Sequence, residues 1–229
     1  MRNLEPRIFA ARASGKLAAL LWLATMAAPV YADGPGAYRP PARPAIAPTL
    51  SEESAIDAYN QGYAKIQRAD HSQALAAASS SAEEKSEAER AARNYYQEAL
   101  PHFKEAIRLD GAMHEAYTYL GYANRKLGNH AEALAAYEQA LRIFPDYPYA
   151  IEYQGQAFLG LNRLDEARFN YLRLYALNKG QAAKLLEAMR AWVESHKDTQ
   201  LEGVDTSDFA EWVARRSELT RNDVISSSW

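Results

Sequence analysis

Set against itself at an offset of 34 residues, the chain repeats Ala116/Ala150, Tyr119/Tyr153, Gly121/Gly155, Ala123/Ala157, Leu127/Leu161, Glu132/Glu166, Ala133/Ala167 and Tyr137/Tyr171. Identities recurring at one spacing mark successive copies of one supersecondary unit, which buries its apolar face only by stacking on its neighbours. A third copy of the second half of the unit lies upstream: Glu98, Ala99, Leu100, Phe103, Ala106, Ile107 and Arg108 precede Glu132, Ala133, Leu134, Tyr137, Ala140, Leu141 and Arg142 by the same 34 residues. Its first half does not. Gly62-Tyr63-Ala64 repeats Gly121-Tyr122-Ala123 at a distance of 59 residues, so the first unit is lengthened by about 25 residues.

Residues 114 to 147 hold Tyr117, Leu120, Gly121, Gly128, Ala133, Tyr137, Ala140 and Pro145 in an order that resembles the tetratricopeptide repeat. Residues 148 to 181 keep Ile151, Gly155, Phe158, Ala167 and Tyr171, with Leu174 and Lys179 where that family has Ala and Pro. The resemblance implies an all-α fold, a right-handed α-α superhelix of about three helix-turn-helix units. These are residues 55–113, lengthened by the insertion, then 114–147 and 148–181. Two helices approach closely only where small residues meet at the crossing and a large one fills the flanking gap, which makes Gly121 and Ala133 the expected crossing and Tyr137 the filler.

Leu185, Ala188, Met189 and Trp192 follow at i, i+3, i+4 and i+7, predicting a capping helix over 182–196 that closes a repeat domain of residues 51–196. In the remaining 197–229, a short amphipathic helix is predicted to start near Asp205 to Asp208, with Phe209, Trp212 and Val213 on one face. It either folds back on its own array or caps a neighbouring chain.

Gly128-Asn129 marks a turn inside the second unit and Pro145-Asp146 its end. Within the insertion, Ser79-Ser80-Ser81 breaks one helix, and Ser81 with Glu84 forms the capping-box pattern that starts the next, giving a long hairpin with a solvated tip. Pro101 falls inside the second of these helices, where it removes the backbone bond to Gln97 and predicts a kink.

Arg2, Arg7, Arg12 and Lys16 lead into the apolar stretch Leu17–Ala28, and Val30-Tyr31-Ala32 offers a cleavage site, so residues 1–32 read as a secretory signal cleaved after Ala32. A proline-stiffened tether is expected over 33–50. The mature chain would then be periplasmic or secreted, with no integral membrane segment. It would carry 22 basic and 28 acidic residues. An acidic balance argues against nucleic acid as the partner, because that needs a positive footprint. The chain contains no cysteine, which removes disulfides and thiolate chemistry.

The five histidines form no HExxH pair and no glycine-rich phosphate loop accompanies them, so neither metal nor cofactor is expected and no catalytic residue is named. What remains is the extended surface of a repeat array. The resemblance implies that the first helix of each unit lines its concave wall, which places there Tyr59, Tyr63 and Ile66, then Thr118, Tyr122 and Arg125, then Glu152 and Gln156. Tyrosine suits recognition, offering contact area and a hydroxyl at small entropic cost, although tyrosines at helical spacing also pack between helices. Arg125, with Lys126, is the candidate receiver of an anionic group. The expected function is non-catalytic: a protein- or peptide-binding scaffold or assembly factor of the cell envelope. The alternatives are a small-ligand protein or enzyme with a pocket near Trp192 and Trp212, and a self-assembling structural protein.

Overall fold

A computed structural model describes residues 49–199, 201 and 203–226, with side chains as far as residue 219. The expected signal at 1–32 and nearly all of the expected tether lie outside the described residues. Leu50, at the end of that tether, is instead the first helical residue.

Eight helices and no strand occupy the described residues: α1 Leu50–Ala78, α2 Ala82–Leu109, α3 His114–Lys126, α4 His130–Ile143, α5 Pro148–Gly160, α6 Leu164–Leu177, α7 Lys179–His196 and α8 Thr206–Ser226. Thr49 starts α1 with a complete capping box, its hydroxyl accepting from Glu52 N and its own N–H donating to the Glu52 carboxylate. The hairpin break falls at Ser79–Ser81 as the sequence indicates, but the box there is only half formed. Ser81 Oγ accepts from Glu84 N, while the Glu84 carboxylate accepts from Ser79 Oγ. α2 continues through Pro101 without interruption.

The inner turns repeat with the chain. Gly128 adopts φ 87°, and the N–H of Asn129 donates back to Asn124 O over 2.9 Å. One repeat later Asn162 takes φ 58°, and Arg163 N donates to Phe158 O over 2.9 Å. Asparagine tolerates this left-handed conformation better than most side chains, so the third unit keeps the turn without its glycine.

Consecutive helices pair as antiparallel hairpins, and α3 also touches α1, α5 touches α3, and α7 touches α5. The backbones of the even helices make no matching ladder, α6 and α8 meeting through side chains, so the odd helices form the closely packed inner side of the array. α7 follows the odd-helix pattern instead of merely covering an end, and α8 packs on it as the second member of a fourth hairpin. Phe209 of α8 is fully buried, edge-on to Trp192 at 5.4 Å and stacked on Trp212 at 6.5 Å. The space between those two tryptophans is filled by this ring, and Phe209 and Val213 of α8 are buried on their own chain.

Two large apolar clusters run through the array, beside a small one of Ala140, Tyr147 and Ala150. One joins α1, α2 and α3 around Tyr59, Tyr96, Phe103 and Tyr119; the other joins α4 to α8 around Tyr137, Ile151, Tyr171, Leu185 and Met189, and Tyr122 packs against both. The expected crossing is observed: the ring of Tyr137 lies directly against Gly121. Phe103 lies in the same way against Gly62, whereas Leu185 of α7 is the side chain pressed against Gly155.

Candidate functional site

The inner side is built by the odd helices, and the eight side chains expected to form its wall divide into two groups. Tyr59, Ile66, Thr118 and Glu152 are buried, at 1%, 2%, 0% and 1% exposure. They shape the wall from beneath and present no surface. Thr118 spends its hydroxyl on His114 O at 2.8 Å, and Tyr59 is edge-on to Phe103 and Tyr119, each at 5.9 Å. The reason is periodicity: a stripe at three- and four-residue spacing covers more than one face of a helix packed on both sides, so part of it points into the core.

Tyr63, Tyr122, Arg125 and Gln156 are half-buried. Tyr63 packs on Tyr119 at 5.1 Å and Tyr122 on Tyr153 at 4.9 Å, so rings from α1, α3 and α5 form one continuous aromatic path. Such ring pairs rigidify the wall beyond the area they bury. Gln156 donates through Nε2 to Glu152, one turn below it.

A polar cluster sits where α3 ends. The Arg125 guanidinium lies over the rings of Tyr122 and Tyr153, 5.2 Å and 5.6 Å from their centres, and Lys126 Nζ lies 5.5 Å and 5.9 Å from the centres of Tyr122 and Tyr96. Asp70 of α1 accepts from two phenols, Tyr96 at 2.5 Å and Tyr122 at 2.9 Å. Gln73, one turn further, accepts from Tyr96 at 3.1 Å and from Lys126 Nζ at 2.5 Å. Burial, and then Asp70, drive the Tyr96 and Tyr122 hydroxyls far above the usual tyrosine range, leaving both as permanent donors. At Lys126, burial and neighbouring Arg125 push the ammonium down, against the pull of Asp70 and Glu152. At Arg125, burial acts downward but the neighbouring Tyr137, Tyr122 and Glu152 act upward and outweigh it, and the guanidinium stays charged.

Asp70, Gln73, Tyr96 and Tyr153 are members of this site that the sequence reading does not name. Tyr153 was visible as the repeat partner of Tyr119. Asp70 meets Tyr122 across 52 residues of chain, and no local pattern announces that contact. Among the described residues, no group of three or more His, Asp or Glu side chains is placed to hold a metal ion, and no helix is long and apolar enough to cross a membrane.

Residues 84–148 match the tetratricopeptide repeat family, from α2 through α4. Those residues carry the tetratricopeptide repeat. Over 99 residues it is 32% identical to the Hsp70-Hsp90 organizing protein of Triticum aestivum, a match covering 42% of this chain and 17% of that protein. The chain therefore spans less than a fifth of the length of that relative. Among solved structures it is similar to the crystal structure of MamA protein, at 17% identity and a TM-score of 0.41, covering 74% of this chain and 95% of the other. Within the matched residues, α3 and α4 form one complete hairpin of this kind. The polar cluster lies on the side where α1, α3 and α5 meet.

Proposed function

We propose that this tetratricopeptide protein is a non-catalytic scaffold that holds another protein or a peptide along the inner side formed by α1, α3, α5 and α7. Tetratricopeptide arrays are in general protein-interaction scaffolds, and stacked hairpins expose an extended surface instead of a closed pocket. One observation carries the reading: Tyr63, Tyr122 and Gln156 leave part of their surface open on three successive odd helices while their other edges are fixed by packing. Rigid, half-open tyrosines lose little entropy on contact, which favours a bound segment over solvent. The apolar stretch Leu17–Ala28 behind a basic lead-in supports export to the cell envelope, with cleavage after Ala32.

The test is a cross-linking pull-down with residues 33–229, compared with a Tyr63→Ser, Gln156→Lys variant whose substitutions avoid the polar cluster. The scaffold reading expects a band that the variant loses. Identical bands from both proteins would move the interface away from the inner side. The mass of the protein recovered from cells checks export, since an intact Met1 would contradict it.

A further inference from the structure

Asp70 lies at an informative place in the chain. Counting from Gly128-Asn129, a first unit of ordinary length would turn near residue 69 and resume near residue 95. Asp70 and Gln73 are therefore on the first turn of the lengthened part of α1, and the hairpin that follows carries them against the end of α3. Here Asp70 accepts from the Tyr96 and Tyr122 hydroxyls, and Gln73 accepts from the Lys126 ammonium. Two cations adjoin on α3, stacked on tyrosine rings, and both are half-buried. Partly desolvated cations attract a carboxylate strongly. The carboxylates this chain sets beside them are its own, Asp70 from α1 and Glu152 from α5.

We propose that Asp70 is a specificity-determining residue of the inner side: an in-chain carboxylate, delivered by the lengthened first hairpin, that occupies the place of an incoming acidic group. It rests on the reading that the inner side is the binding surface, and it deepens that reading. With Asp70 in place, the cluster balances Arg125 and Lys126 against Asp70 and Glu152, so an acidic segment gains no net attraction and repels Asp70 directly. The partner segment that crosses here is uncharged, meeting phenol edges and amides. Remove the charge of Asp70 and one cation becomes uncompensated, opening the site to a carboxylate. Burial, and then Arg125, weaken the hold of Lys126 on its proton, while Asp70 and Glu152 act the other way.

The experiment uses residues 33–229 and a hexaglutamate peptide blocked at both ends, with binding followed by calorimetry at low salt. Asp70→Asn keeps the size of the side chain and an oxygen for both phenols while losing the charge. Asp70→Ser is a smaller alternative that guards against a misfolded Asn variant. The unsubstituted protein is expected to bind the peptide weakly, with no peptide-dependent amide shifts at Arg125 and Lys126. The Asp70 variants are expected to gain about tenfold or more, the order of one charge pair in a half-buried setting, and Lys126→Met added to them removes the gain. Comparable binding by unsubstituted protein and variants, amide shifts at Arg125 and Lys126 in the unsubstituted protein, or a gain that survives Lys126→Met would each overturn the proposal. A gain in the Asp70 variants alongside a pull-down band indifferent to Tyr63 and Gln156 would remove the scaffold site, and with it the specificity role of Asp70; a lost band with no gain in the Asp70 variants would overturn this proposal alone.

Discussion

The ring of Tyr137 occupies the space that a side chain on Gly121 would need, since a Cβ built on Gly121 would stand 2.5 Å from Tyr137 Cε1. Tyr137 is fully buried and cannot swing aside into solvent. Gly121→Ala therefore forces α3 and α4 apart, at a cost of about 1 to 3 kcal/mol for an overpacked crossing. Tyr137→Ala leaves the complementary hole and costs about 3 to 5 kcal/mol. Urea unfolding of both variants checks this, and unchanged midpoints would refute the crossing.

Leu185 holds the corresponding place against Gly155, although it comes from the following hairpin. Leu185→Ala is expected to destabilise by about 2 to 5 kcal/mol. Protection of α5 amides against hydrogen exchange should fall along with that of α7, because the two helices share this contact. A loss confined to α7 would argue that α5 stands without it.

Phe209 anchors α8, with Arg168 of α6 over its ring at 5.3 Å and ion-paired to Asp208. Phe209→Ala should free α8 from α7 while α1 to α5 keep their structure. Limited proteolysis would then cut first within residues 197–205. An unchanged digestion pattern would mean that α8 is held elsewhere.

Acid should weaken the fold through two histidines. Burial lowers the pKa of His114, opposed by Glu115; burial and then Arg125 lower that of His130. In both, the unfolded chain binds the proton more tightly than the folded one. The stability contributed by these neutral rings is complete above the ordinary value near 6.5 and is lost as pH falls below it. His114→Gln with His130→Gln should flatten the dependence of the urea midpoint between about pH 7.5 and 5.5.

Alkaline titration followed by ultraviolet difference absorbance should divide the tyrosines. Tyr96, Tyr122 and Tyr137 are held above the ordinary range chiefly by burial, with Asp70 adding to the effect at the first two. These three should not ionise until the protein unfolds. Asp70→Asn lowers the barrier at Tyr96 and Tyr122 and leaves that at Tyr137.

Much of the architecture was legible from residues alone because its causes are local or repeat at a fixed interval. The spacing between Tyr119 and Tyr153 announces stacked units, Ser79–Ser81 announces a break, and Gly128 announces a turn. The site was legible only in part. Tyr63, Tyr122, Arg125 and Gln156 reach the inner side, whereas Tyr59, Ile66, Thr118 and Glu152 have the same spacing and are buried. Spacing reports which way a side chain leaves its helix, and only the neighbouring helices decide whether anything covers it.

By itself the sequence determined the unit, its length and the small-against-large contact of Gly121 with Tyr137, all consequences of how one helix turns and meets the next. The tertiary structure decided that Leu185 takes over against Gly155, that α8 completes a fourth hairpin, and that Asp70 reaches Tyr122. The first and last of these join residues 30 and 52 positions apart, and their meeting depends on the path of every helix between them.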